Sequence, residues 1–208
     1  MKLFRFSLAL SASLLLTAAA AAASVDMDDP RRALGREGDV RIDAQLLRDT
    51  VSAGMPVAIT YQIQNLSASA VAVAHKVSDA SYDEDNRTIV LAVGSEVPPD
   101  GNMPQMTLVA PGEKKVLTAA ATPALKASAV RTTFAAVPRF VQVKVAILRN
   151  VRPYLSLIQK QDGRAKQRLS DDLFEQWFES NDTIYLNAVP VRYTAPAMSE
   201  VERRQGGF

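Results

Sequence analysis

Alternation of apolar and polar side chains is the feature that most constrains the fold of this chain. In the stretch VAITYQIQ, Val57, Ile59, Tyr61 and Ile63 alternate with small or polar neighbours. A period of two places these four side chains on one face of a β-strand. The same pattern marks strands at residues 40–46 and 139–148, and RTIVLAVG at 87–94 is another candidate strand. The chain is therefore expected to build sheets that each bury one face.

Turn-forming residues separate the predicted strands. PPDGN at residues 98–102 and PGEK at 111–114 carry the Pro-Asp-Gly and Pro-Gly signals of tight turns. Short strands at this spacing, without alternating strands and helices, favour an all-β antiparallel sandwich. A change of parity near Pro190 in TIYLNAVPVRYT predicts a bulge or an edge position in the last strand.

Three segments resemble bacterial immunoglobulin-like domains. They are the Gly-x-Pro-Val opening at residues 54–57, the segment QNLSASAVAV at 64–73 and the later APGEKKV at 110–116. In such domains a strand that ends in asparagine leads into a short turn, and a Pro-Gly turn introduces a later strand. The resemblance spans about residues 40–150 and implies an immunoglobulin-like sandwich. It implies no catalytic residues.

One amphipathic helix is predicted just before the last strand. Ser170 is a suitable N-cap, and Leu173, Phe174, Trp177 and Phe178 follow at helical spacing. Apolar stripes of this kind usually pack on a core. The alternative is an aromatic recognition surface, which makes these four residues candidates for partner binding.

Residues 1–23 have the layout of a secretory signal peptide. A basic start at Lys2 and Arg5 precedes an apolar, alanine-rich run, with small residues before a cleavage site after Ala23. This composition favours a bacterial precursor whose product is periplasmic or secreted. No later segment is apolar for long enough to span a membrane, so no transmembrane span is expected in the mature chain.

The mature chain is predicted to be one domain with polar ends. Its parts are a flexible N-terminal segment at 24–38, the sandwich at 39–195 and a flexible tail at 196–208. Loss of the signal leaves 22 of the 24 basic residues against 22 acidic ones. A net charge of zero gives no reason to expect nucleic-acid binding. Without cysteine, the domain depends on its core rather than on disulfides.

The sequence contains few of the residue types and motifs that are typical of catalytic sites. It has no cysteine, one histidine, and neither a nucleophile elbow nor a phosphate-binding glycine loop. His75 has the parity of Val71, Val73 and Val77 in a further predicted strand and is interpreted as a core residue. With Met103 and Met106 it supplies the ingredients of a soft Cu(I) site, a minor alternative. We expect no cofactor and favour binding over catalysis.

An acidic loop is the candidate cation site. SDASYDEDN, residues 78–86, contains Asp79, Asp83 and Asp85, and hard cations such as Ca²⁺ prefer oxygen ligands of this kind. The EF-hand spacing and its turn glycine are missing. A solvated acidic loop is the simpler interpretation.

A basic cluster lies between the strongest predicted strand and the aromatic helix. It includes Arg149, Arg152 and Arg164. These side chains are candidate contacts for another envelope protein or an anionic envelope polymer. A solvated linker neutralised by nearby acids is the alternative.

Three functions follow from these features. The leading hypothesis is an exported, non-catalytic binding or assembly protein of the bacterial cell envelope that acts through protein–protein contacts. The second is a periplasmic hydrolase or an enzyme inhibitor with loop carboxylates in its site. The third is a metal-binding module.

Overall fold

A computed structural model describes residues 28–125, 137–161 and 167–195 of the chain. These residues form mostly β-structure with two short α-helices, α1 (Leu155–Gln159) and α2 (Asp171–Ser180). The strands are β1 (Arg32–Glu37), β2 (Val40–Leu46), β3 (Thr50–Val51), β4 (Val57–Asn65), β5 (Val71–Ala74), β6 (Val77–Asp83), β7 (Thr88–Val93), β8 (Asn102–Met103), β9 (Met106–Val109), β10 (Lys114–Ala121), β11 (Phe140–Leu148), β12 (Gln167–Arg168), β13 (Asn181–Tyr185), β14 (Val189–Pro190) and β15 (Arg192–Tyr193).

The first sheet is fully antiparallel, in the order β1-β2-β4-β10. Its inner face follows the alternation in the sequence, since Val57, Ile59, Tyr61 and Ile63 on β4 are all buried. Neighbouring side chains on β2 with the same parity are buried against them. The period of two therefore predicted the buried face of this sheet correctly.

The second sheet is centred on β11. On one edge, β11 pairs antiparallel with β13 and β14. On the other edge it runs parallel to β7 up to Val145 and then pairs antiparallel with β5 at Ile147 and Leu148. Strands β6 and β9 extend this sheet by pairing with β7 and β5. Two minor pairs, β8 with β12 and β3 with β15, lie outside the two sheets.

Both sheets contribute to one hydrophobic cluster. The cluster contains the inward side chains of β2 and β4 together with those of β7, β11 and β13. The sheets also approach each other at their sides, β1 against β13 and β10 against β6. At the first of these sides Gly35 leaves room for Ile184, because a Cβ at Gly35 would lie 2.7 Å from the Ile184 Cγ2. The all-β character expected from the sequence is confirmed, and the strands pair antiparallel except for β7 with β11 and β3 with β15.

Regular secondary structure is present earlier in the chain than predicted. Residues 24–38 were expected to form a flexible segment, yet Arg32–Glu37 forms β1 and pairs with β2 along its whole length. Arg32 also forms an ion pair of 2.6 Å with the buried Asp43 on β2. This strand lacks a clear apolar alternation, so its sequence gave no strand signal. The predicted signal peptide (1–23) and the predicted tail (196–208) lie outside the described residues.

The predicted helix is present as α2. Ser170 accepts a hydrogen bond from the backbone N–H of Leu173 at 3.4 Å, which identifies it as the N-cap. Three short strands follow α2, where one strand was expected. The parity change near Pro190 falls between β13 and β14, which pair with separate parts of β11. The short helix α1 and the 3-10 helix Arg152–Tyr154 were not predicted.

Candidate functional site

The basic cluster contributes to a cleft, called the arginine cleft here, at the end of β11. It has a volume of about 690 Å³, within the range of ligand-binding sites. Antiparallel pairing of β5 with β11 brings the β4–β5 turn beside the residues that follow β11. The cleft is lined by residues 68–70, residues 149–152 and Leu155.

The β4–β5 turn on one side of the cleft is held by Asn65, which is fully buried. Its Nδ2 donates to the backbone oxygens of Ser69 at 2.8 Å and Val109 at 3.1 Å. Its Oδ1 accepts hydrogen bonds from the backbone N–H and the hydroxyl of Ser67. Because every polar atom of this amide is satisfied, the turn is a rigid wall of the cleft.

Arg149 is tethered on one side of its guanidinium group. Its Nε donates to the Asp182 carboxylate at 2.9 Å, and one terminal nitrogen donates to the backbone oxygen of Glu37 at 3.0 Å. The backbone N–H of Arg149 also bonds to the Ser180 oxygen at the end of α2. These contacts hold the side chain in place at the cleft.

The Arg152 side chain is exposed and has no hydrogen-bond or ion-pair partner among the described residues. It begins the 3-10 helix Arg152–Tyr154, in which Pro153 fixes the backbone φ angle. The buried side chains of Val151 and Tyr154 anchor this turn on both sides. As a result the Arg152 side chain lies on the outside of a fixed turn.

The electrostatic character of the arginine cleft is positive. Its lining contains the two guanidinium groups of Arg149 and Arg152, and none of the described residues that line it carries a carboxylate. Asn150 and Ser69 add polar groups, whereas Leu155 adds an apolar wall. Asn150, Ser69 and Leu155 were not predicted as site residues from the sequence. Of these residues, only Asn150 could have been identified from the sequence, since it follows Arg149 directly. Ser69 lies in the β4–β5 turn, which reaches the cleft through the long-range pairing of β5 with β11.

Helix α2 combines a buried tryptophan with an exposed phenylalanine. Trp177 is completely buried, packs edge-to-face on Tyr154 with centroids 5.6 Å apart, and donates its indole N–H to the Glu96 oxygen at 3.1 Å. Phe178 remains 51% exposed and stacks edge-to-face on Phe174 at 5.4 Å. Trp177 therefore fixes α2 to the core, as apolar stripes usually do, and presents no recognition surface.

Leu173 and Phe174, two further members of the predicted binding set, are less exposed than Phe178. Leu173 is partly buried and packs against the core cluster. Phe174 is also partly buried and packs against that cluster. Phe178 is thus the most exposed of the four helix residues. Arg164 lies outside the described residues.

The acidic loop does not bring its carboxylates together. Asp79 is exposed within β6, whereas Asp83 and Asp85 lie at and beyond the end of that strand. The backbone and side chain of Asn86 donate to Asp83, and the side-chain hydrogen bond is the main cause that holds the Asp83 pKa below its ordinary value. In the part of the chain that the structure describes, no three histidine, cysteine or carboxylate side chains form a metal-ligating group. The geometry does not support the predicted cation site.

A smaller polar cavity of about 120 Å³ lies on the outer face of the second sheet. Glu96 reaches over it to the Tyr185 hydroxyl at 3.3 Å and to the Lys144 ammonium at 3.6 Å. The Thr183 hydroxyl lines the cavity and is buried without a hydrogen-bond partner. The volume of this cavity suits ordered water molecules.

Comparison with known proteins adds no assignment. No protein-family model, curated protein or solved structure matches this chain. Among the described residues, none of the helices is long and apolar enough to cross a membrane.

Proposed function

We propose that this chain is an exported, non-catalytic binding or assembly protein of the bacterial cell envelope that acts through protein–protein contacts. The observation that carries the proposal is the arginine cleft, in which an exposed Arg152, whose side chain pairs with no described residue, lies beside a tethered Arg149. Exposed guanidinium groups beside apolar walls are typical of sites that contact another protein. The partner-binding surface of the proposal consists of this cleft and, secondarily, Phe178.

The proposed fold is an immunoglobulin-like sandwich of the two sheets. Its support is the path of the chain, which passes from the first sheet to the second between β4 and β5 and returns between β9 and β10. The shared hydrophobic cluster also supports it. Such a scaffold holds its connecting turns rigidly, which suits a role in contact.

Site-specific photo-crosslinking tests the proposed function. A benzoylphenylalanine in place of Asn150, which is exposed and lines the cleft, should give a specific adduct with an envelope protein in intact cells. The same residue in place of Phe140, at the opposite end of β11, is the matched control and should not give this adduct. The Arg152→Glu change should abolish the adduct from position 150. No adduct, or the same adduct from both positions, would contradict the proposal.

Export is tested separately. The chain recovered from the periplasm or the medium should begin at Ser24, because the small-residue pattern places the cleavage site after Ala23. N-terminal sequencing of the recovered protein measures this directly. A chain that stays in the cytoplasm and still begins at Met1 would exclude the envelope location.

A further inference from the structure

We propose that the arginine cleft binds a carboxylate carried by an acidic segment of the protein partner, with an apolar side chain next to that carboxylate. This inference rests on the proposed binding function and specifies the chemistry of the group that enters the cleft.

The positive charge of Arg149 and Arg152 in the cleft favours an anionic ligand. Arg149 uses its Nε and one terminal N–H on Asp182 and Glu37, so three of its five N–H groups have no partner among the described residues. No described residue bonds to the guanidinium group of Arg152. The planar arrangement of N–H groups in arginine matches the two oxygens of a carboxylate. No described lining residue carries a carboxylate, although Asp182 outside the lining already engages the Nε of Arg149.

Asp182 makes Arg149 a better receptor than a freely rotating arginine. Its carboxylate and the Glu37 oxygen hold the Arg149 side chain before any ligand arrives. Binding then costs less side-chain entropy at this position. Arg152 projects from the turn that the buried Val151 and Tyr154 anchor, so its backbone is also fixed.

The walls of the cleft favour an amphipathic ligand over a simple ion. Ala68, Ala70 and Leu155 offer apolar surface beside the charged groups, and Asn150 and Ser69 offer hydrogen bonds. A volume of about 690 Å³ exceeds the needs of one inorganic anion. An acidic side chain with an apolar neighbour, in an extended peptide, uses both kinds of surface.

The number of positive charges argues for a protein segment over an envelope polymer. A polyanionic polymer binds by neutralising many charges in a row, whereas the described lining has two guanidinium groups. Because Asp182 already pairs with Arg149, these two guanidinium groups match one further carboxylate. Polymer and free phosphate are therefore alternative outcomes of the test.

The test uses labelled peptides and the full mature chain. The acidic peptide acetyl-Leu-Asp-Glu-Leu-amide and its uncharged counterpart acetyl-Leu-Asn-Gln-Leu-amide are compared by fluorescence anisotropy. The wild type should bind the acidic peptide, and Arg152→Gln should weaken this binding by about tenfold or more. Arg139→Gln is the matched control, because it removes the same charge from an exposed position roughly 30 Å away along β11. It should bind as the wild type does.

Specific outcomes would overturn the inference. Equal binding of both peptides, absence of acidic-peptide binding, or equal binding by the wild type and Arg152→Gln would do so. Displacement of the acidic peptide by inorganic phosphate or polyphosphate at lower concentration than by unlabelled peptide would assign the cleft to phosphate. The two proposals fail separately. An Arg152-dependent crosslink at position 150 without peptide binding removes only the ligand assignment, whereas absence of the crosslink removes the proposed function.

Discussion

At the scale of single residues, Gly94 lies where one edge of β11 passes from β7 to β5. Its φ angle is +79°, and a Cβ there would overlap the Ala74 Cβ and lie 2.9 Å from the Ala146 Cβ. We expect Gly94→Ala to lower the free energy of unfolding by about 3 kcal/mol, through overpacking and backbone strain together. Gly54→Ala is the matched control, since Gly54 has a φ of +74° and nothing within 4 Å of its added Cβ. It should cost about 1 kcal/mol. Urea unfolding measures both, and equal losses would refute a packing role for Gly94.

Asn65 is the second position where one residue decides a local structure. Asn65→Asp keeps the acceptor for Ser67 but places an oxygen against the backbone oxygens of Ser69 and Val109. We expect a loss of about 3 kcal/mol at pH 7, because a buried acceptor pair replaces two hydrogen bonds. The loss should shrink as the pH falls, since protonation of the introduced carboxyl restores a donor. Asn187→Asp, at an exposed asparagine, should change the unfolding free energy by less than about 0.5 kcal/mol. A loss at position 65 as small as this one would show that the turn does not need the amide.

At the scale of elements, local patterns in the sequence predicted several of the strands and helix α2. The alternation in residues 57–64 and the N-cap of α2 are local features, so a short window contains the relevant physics. Strand β1 was missed because its residues RALGRE have no apolar alternation, and its stability comes from pairing with β2 and from the Arg32–Asp43 ion pair. The four apolar residues of α2 were read as one face, although their exposure differs widely.

That difference in exposure within α2 is testable. Trp177→Ala removes a fully buried ring and its hydrogen bond to Glu96, and should lower the unfolding free energy by about 3–5 kcal/mol. Phe178→Ala removes a half-exposed ring from the same helix and should cost less than about 1 kcal/mol. Circular dichroism during urea unfolding measures both variants without relying on tryptophan fluorescence. Equal losses would mean that Phe178 is as much a part of the core as Trp177.

At the scale of the whole molecule, the sequence did not reveal which strands pair across long distances. A period of two identifies the buried face of a strand but not its neighbour. The parallel pairing of β7 with β11 and the pairing of β5 with the end of β11 both depend on packing of the complete chain. The arginine cleft illustrates this limit. Arg149 and Arg152 were visible as charges, whereas their meeting with residues 68–70 required the β5–β11 register.

The pH dependence of stability also belongs to the whole molecule, because its acidic and alkaline limits come from different parts of the fold. Hydrogen bonds from Arg31 hold the pKa of Asp29 well below its ordinary value, and the backbone N–H of Ala110 lowers the pKa of Glu113. Both carboxyls bind protons more readily in the unfolded chain, so stability should fall as the pH drops below about 4.

The alkaline limit of stability comes from buried tyrosines, whose pKa values are raised rather than lowered in the folded chain. Burial raises the pKa of Tyr61, whose hydroxyl donates to the Ala74 oxygen at 2.6 Å, and burial also raises the pKa of Tyr154. These phenols ionise in the unfolded chain near pH 10 but stay protonated in the folded one, so their contribution is complete below pH 10 and is lost above it. Urea midpoints at constant ionic strength should form a plateau between about pH 5 and 9 that falls on both sides. Tyr61→Phe should be less stable at pH 7 and should lose less stability between pH 9 and 11. If its alkaline decline were as steep as that of the wild type, the burial of Tyr61 would not be its cause.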